Sequence, residues 1–543
     1  MKKKVTFLLI LGAAIFSLTA CQFFNQSNEG GYSYRPIGAS NKDVSAPPEG
    51  ELEATSPSVT YSDYVKNNYY PLSSTPTKNK TKLLVIPIWF TDSTSFIQES
   101  KRDNVQADIK ASYFGKNTDT GWRSVKTYYE EESHGALKID GTVSDWYECH
   151  KSYKLFRVDD DHTVTTNLVK EATDWYFDTF NPSDKRTDYD CDKDGYLDGV
   201  MLIYAAPAFY GEDDNSSNLW AFCFWMQDPS KKNTVKPGVN VFFWASYDFM
   251  YGKNRALTRT GSNHASGDNS NNVSIDAHTY IHEMGHMFGL EDYYDYSAYN
   301  YSPAGGFSMQ DSNVGGHDPF SVYALGWAKA YIPTASAEIY LKPFTTSGEI
   351  IILSPHWNEY NSPFDEYLIL EYYTSDGLNY FDANHPYRSG AKNYPTGSLQ
   401  AGIRLWHVDA RLLYTSDNTF SATRVTKDPN CGKRVKTMMT NTYNDGVVSL
   451  DYLSQLSVRE PEEDRYSNYN LLELIRNNTV AQTKTKQWMN SDSLFKEGDT
   501  FTMSKYARQF VLNARLNTAE QLGFTFTVNG LNEGYASITV TKS

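Results

Sequence analysis

The chain has 543 residues, with 65 acidic against 50 basic side chains and a formal net charge of −15. That surplus of negative charge argues against nucleic acid and against acidic surfaces as partners. The five cysteines include no CxxC pair, which argues against a thiolate zinc site, and no apolar run reaches the roughly 20 residues that span a bilayer.

Residues 1–21 read as a targeting segment. Lys2, Lys3 and Lys4 make a basic start, and Val5 to Phe16 form an apolar run too short to cross a membrane. Leu18-Thr19-Ala20-Cys21 then resembles the bacterial lipobox, which implies cleavage before Cys21 and a lipid on its sulfur. The alternative is a plain secretory signal with an incidental cysteine. Either way the expected location is extracytoplasmic, and with the lipid it is the cell surface, anchored to the membrane through Cys21. Residues 22–80 are rich in Ser, Asn, Pro, Gly and Thr, and read as a flexible tether or a short pro-segment. In such a compartment Cys149, Cys191, Cys223 and Cys431 can make two disulfides in three pairings, or stay as buried thiols.

From residue 81 the pattern becomes that of a globular domain. LLVIPIWF (Leu83 to Phe90), VMLIY (Val200 to Tyr204) and VNVFFWAS (Val239 to Ser246) are continuous apolar runs, as strands buried on both faces require. Helical patterns between them give an α/β domain with a mixed sheet over 81–335. Just before VMLIY, Asp190, Asp192, Asp194, Gly195 and Asp198 occupy positions 1, 3, 5, 6 and 9 of an EF-hand-like loop. Carboxylates packed so tightly repel one another unless a cation lies among them, which points to structural calcium. Position 12 is Met201 rather than glutamate, so the ligand geometry must differ, with Asp188 or a distant residue completing it. The plainer reading is a solvated acidic turn.

The most informative stretch is HEMGHMFGLED, His282 to Asp292. His282 and His286 stand one helical turn apart, so their imidazoles leave one face about 6 Å apart along the axis, where both can hold one Zn²⁺. Glu283 projects beside them, positioned to take a proton from a metal-activated water. Gly289 can end the helix at positive φ, and Asp292 follows closely enough to offer an oxygen as third ligand. Ala277, Ile281, Met284 and Phe288 fall on the opposite stripe and should face the core, with Ser274 or Asp276 as N-cap. His278 lies about 12 Å along the axis from His286 and cannot join the same metal.

Around this stretch the chain resembles the immune inhibitor A-like metallopeptidases, secreted bacterial zinc enzymes of the cowrin, metzincin type. The likeness is carried by HEMGHMFGLEDYYD itself, by SVKTYYEEESHGALKIDGTV (Ser124 to Val143) and by DYDCDKDGYLDGVMLIY (Asp188 to Tyr204). GGFSMQDSN and PFSVYALGW (Gly305 to Trp327) resemble the methionine turn and the helix after it. The likeness covers about residues 80 to 330, and extends more loosely to GIRLWHVD (Gly402 to Asp409). It implies zinc ligands His282, His286 and Asp292, Glu283 as catalytic base, and Met309 beneath the metal. Glu291 departs from the pattern, standing where the family usually has proline.

Residues 336–543 change character to short β runs: EIIIL (Glu349 to Leu353), EYLILEYY (Glu366 to Tyr373), GIRLWHV, FTFTV (Phe524 to Val528) and YASITVT (Tyr535 to Thr541). Asn529-Gly530 reads as a hairpin turn, and the region as one or two β-sandwich modules. The 41 tyrosines suit buried sheet positions. The expected function is a surface-anchored zinc endopeptidase acting, as a monomer, on extracellular proteins or glycoproteins. The competing reading is an adhesion or glycan-binding lipoprotein carrying a vestigial peptidase fold, which the intact His282, Glu283, His286 and Asp292 set disfavours. A hydrolase with a non-peptide substrate is a third.

Overall fold

The computed structural model describes residues 52–60, 75–120, 122–159, 161–208, 218–226, 229–254, 275–294, 303–311, 315–356, 362–384, 397–410, 470–478, 490–510, 512–532 and 534–543, with short strands elsewhere as backbone only. These form two compact units, one within Tyr70–Leu290, the other from residues within Ser17–Tyr69 and Glu291–Ser543. Cys21, Cys431 and Ser274 lie outside the described residues. Among the described residues no helix is long and apolar enough to cross a membrane.

The first unit is built on a mixed sheet. Its strands are β1 (Asn79–Trp89), β2 (Leu137–Val143), β3 (Tyr147–Glu148), β4 (Val200–Tyr204), β5 (Phe222–Trp225) and β6 (Val241–Ser246). They lie in the order β2-β1-β4-β6-β5, with β3 also paired to β1. All pairs are parallel except β5 with β6, where Phe222 faces Trp244 and Trp225 faces Val241. The three apolar runs expected as strands are the three central ones, and every residue of β4 and β6 is buried. The short β5 gave no comparable signal.

Helices α1 (Arg102–Phe114), α2 (Val125–Glu132), α3 (Tyr153–Arg157), α4 (Thr163–Trp175) and α5 (His278–Met287) accompany this sheet. One core joins Leu84, Ile86 and Ile88 of β1 and Phe242 and Trp244 of β6 to Leu168 and Val169 of α4. Residues of the other parity meet α5: Phe243 packs its ring on Tyr280 at 5.6 Å. Helix α2 begins where a capping box dictates. Ser124 Oγ accepts from Thr127 N at 3.2 Å, and Thr127 Oγ1 accepts from Ser124 N at 3.0 Å. Cys149 and Cys191 form no disulfide among the described residues.

The second unit contains α6 (Pro319–Ala324) and strands β7 (Lys329–Tyr331), β8 (Ala337–Leu341), β9 (Glu349–Leu353), β10 (Glu366–Tyr373), β11 (Gly402–Asp409), β12 (Leu472–Ile475), β13 (Thr500–Phe501), β14 (Phe524–Leu531) and β15 (Ala536–Lys542). One sheet runs β12-β11-β10-β9-β7 and another β13-β14-β15-β8. Ile351, Leu368, Leu370 and Leu405 of the first share a buried cluster with Phe524, Phe526, Ile538 and Val540 of the second. Backbone strands at Leu412–Tyr414, Phe420–Val425, Arg434–Lys436 and Val447–Ser449 pair in a third, with Ser33–Tyr34 against Leu412–Tyr414. Within the stretch read as a tether, Thr55 exchanges backbone hydrogen bonds of 2.9 and 2.8 Å with Ala330, covering the edge of β7. Asn529-Gly530 is not the hairpin turn. It lies inside β14, where the register to β15 shifts as a bulge, and the chain reverses instead at Asn532–Tyr535. Gly530 therefore serves a bulge, the other use of glycine in a strand.

Candidate metal centre

Helix α5 is fastened before it offers anything to a ligand. Ala277, Ile281, Met284 and Phe288 are all 0–1% exposed, forming the apolar stripe that the spacing requires. Tyr280 Oη donates to Ser246 O at 2.9 Å, and Tyr129 Oη on α2 donates to Ile281 O at 2.6 Å. The ring of Tyr129 also meets Phe288 edge-on at 5.1 Å. At the N-terminus the boundary residue is Ala277, and neither expected side chain occupies that position. Asp276 still contributes there, accepting from His278 N at 3.0 Å and lying 3.0 Å from His278 Nδ1. His278 is thus committed to Asp276.

The opposite face carries His282 and His286, both half-buried, with ring centroids 4.9 Å apart and nearly perpendicular planes. Gly289 has φ of +99°, the left-handed conformation that closes a helix. Its N–H and that of Leu290 return to His286 O and Gly285 O at 2.8 and 3.2 Å. The turn this makes brings Leu290 O within 2.7 Å of His286 Nδ1. A proton on Nδ1 is donated to that carbonyl, which leaves Nε2 as the lone pair for a metal. Asp292 follows, 6% exposed. Ligand atoms of His282, His286 and Asp292 all lie within 4.8 Å of one another. Two imidazoles and a carboxylate are a zinc donor set, so the residues present fit that ion. Glu283 is 6% exposed, beside them on the helix. Burial, then the Tyr280 hydroxyl and the Glu283 carboxylate, hold the Tyr113 hydroxyl protonated far above the usual phenol range. Tyr129 is held likewise by burial, then Glu132, then Glu283.

Met309, at 1% exposure, sits in a tight polar turn of the second unit. Gly305 and Gly306 have φ of +69° and +79°, and Met309 N donates to Gly316 O at 3.1 Å. Asp318 organises this segment. Its carboxylate accepts from Ser308 Oγ at 2.7 Å, Ser321 N at 2.8 Å and Ser321 Oγ at 2.8 Å, capping α6 at the Pro319 that opens it. Tyr293 and Tyr323 are fully buried, and His317 bonds Gln310 Oε1 at 3.2 Å.

The acidic loop gathers three of its four carboxylates. Oxygens of Asp190, Asp192 and Asp194 lie within 4.8 Å of one another, and Asp190 Oδ1 is buried with no hydrogen-bond partner. Gly195 makes the sharp turn at φ +92°. Burial, then the Asp192 charge, push Asp194 up to about 7. Asp198 is turned elsewhere: its two oxygens accept from Cys191 N at 2.8 Å and Lys82 N at 2.7 Å, pinning the loop to β1. Asp188 is exposed and outside the cluster.

No family model matches the chain. It is similar to the pre-pro-metalloprotease PrtV of Vibrio cholerae serotype O1, in strains M66-2 and ATCC 39315 / El Tor Inaba N16961. Each is 24% identical over 253 residues, which cover 40% of this chain and 24% of the relative. The chain spans about a quarter of the length of these curated relatives. The likeness is a distant one, to a metalloprotease, and it implies a metal; His282, His286 and Asp292 form a group that could hold one.

Proposed function

We propose that the chain is a zinc-dependent endopeptidase, with His282, His286 and Asp292 holding the metal and Glu283 as general base. The observation that carries this reading is three metal donors gathered within 4.8 Å beside a buried glutamate on the same helix. When bound, zinc supplies Lewis acidity to the scissile carbonyl and to the attacking water. Glu283 accepts the proton of that water and returns it to the leaving amine. The hydrogen bonds from Tyr280 and Tyr129 fix the helix, so carboxylate and imidazoles keep one relative orientation through the reaction. Met309 is assigned no chemical step.

The fold we assign is zincin- or metzincin-like, with a β-sandwich C-terminal region. The mixed sheet under α5 and the shared core of two sheets support it. The protein acts extracytoplasmically on proteins or glycoproteins, as a monomer anchored by lipid on Cys21. The test of the reading is metal exchange. Hydrolysis of an unfolded protein should stop in a zinc chelator and return on adding Zn²⁺ alone. Hydrolysis indifferent to the chelator overturns the reading.

Structural calcium in the Asp190–Asp194 loop is part of the same proposal, supported by the orphaned Asp190 Oδ1 among crowded carboxylates. Asp194→Ala should lower the melting temperature in calcium and leave it unchanged or higher in chelator, where the substitution relieves repulsion. Equal losses in both conditions would sink the assignment.

A further inference from the structure

Two tyrosine hydroxyls anchor α5 through hydrogen bonds to backbone carbonyls. Tyr280 donates to Ser246 O and Tyr129 to Ile281 O. Another tyrosine, Tyr113 of α1, is fully buried, and its hydroxyl has no hydrogen-bond partner. Its ring lies stacked on that of Tyr280, with centroids 5.3 Å apart and planes 17° from parallel. Tyr280 and Glu283 are three residues apart and so neighbours on one helix face. Tyr113 and Glu283 thus both neighbour Tyr280, and burial, then the Tyr280 hydroxyl, then the Glu283 carboxylate hold the Tyr113 hydroxyl protonated. A buried hydroxyl without a partner is costly, and one ordered water with two or more polar contacts is the usual remedy.

We propose that Tyr113 is a positioning residue for Glu283, its hydroxyl holding the carboxylate in its working orientation through one buried water. The inference rests on the reading of Glu283 as general base. Tyr113 donates to the water, the water donates to the carboxylate, and the second carboxylate oxygen stays turned to the cleft. A residue that only fills the core would need the ring and not the oxygen.

Tyr113→Phe keeps the ring and the stacking. It should lower kcat about 10-fold, the lower end of the usual cost of removing a supporting hydrogen bond. KM, zinc content and melting temperature should not fall with it. A crystal structure of the metal-free protein should place a water within hydrogen-bond distance of both Tyr113 Oη and a Glu283 oxygen. Wild-type kcat in Tyr113→Phe, or no such water, overturns the proposal. Glu283→Ala measured alongside separates the two failures. If it abolishes turnover while Tyr113→Phe does not reduce it, only the positioning role falls. If Glu283→Ala turns over like wild type, the general-base reading itself falls. The crystallographic water decides the positioning role even where no substrate is cleaved.

Discussion

Glu283→Ala should reduce peptide hydrolysis by roughly 10²–10⁴-fold, the usual contribution of a positioned general base, and leave zinc binding intact. The geometry explains why the two effects separate. The proposed metal donors are His282, His286 and Asp292, and the hydrogen bonds that orient His286 and hold the helix are made by other groups than Glu283. His286 is oriented by Leu290 O, and the helix by Tyr129 and Tyr280. Alanine is the better helix former, and removing a carboxylate that is 6% exposed relieves a desolvation cost. The variant should therefore melt no lower than wild type, with one zinc per chain by elemental analysis. A parallel loss of zinc and turnover would mean that Glu283 holds the metal rather than the water's proton.

His286→Ala should give the complementary result, losing zinc and turnover together. Removing an outer partner of a metal ligand typically costs 10–100-fold in affinity, so removing the ligand should exceed about 100-fold. Asp292 and His282 alone leave an incomplete set. The substitution also deletes the 2.7 Å bond to Leu290 O that ties the helix to the loop bearing Asp292. One neutral hydrogen bond of this kind contributes about 0.5–1.5 kcal/mol, so a modest loss of stability should accompany the loss of metal. Zinc titration by calorimetry on wild type, Glu283→Ala and His286→Ala checks both predictions in one series. Wild-type affinity in His286→Ala would remove this histidine from the metal.

What was legible in the sequence is what local spacing controls. The i, i+4 histidines, the apolar stripe opposite them and the glycine at φ +99° follow from helix geometry alone, and all are in place. The central strands were legible because a strand buried on both faces must be apolar throughout. What depends on distant partners was not. Asp198 has the right offset for a calcium ligand, yet Lys82 N and Cys191 N claim its oxygens. Asn529-Gly530 has turn chemistry, yet pairing with β15 makes it a bulge. The helix start was misplaced because Asp276 bonds His278 N from outside the boundary. Tyr113 carried no signal, since only the packing of α1 against α5 brings it to Tyr280.

The most direct test of the account is mass-spectrometric cleavage mapping of a peptide and glycoprotein library by the soluble protein beginning at Gln22, against Glu283→Ala prepared identically. The account predicts cuts made by the wild type and absent with the variant, which would also reveal the preferred residues around the scissile bond. Identical maps from the two proteins would contradict it.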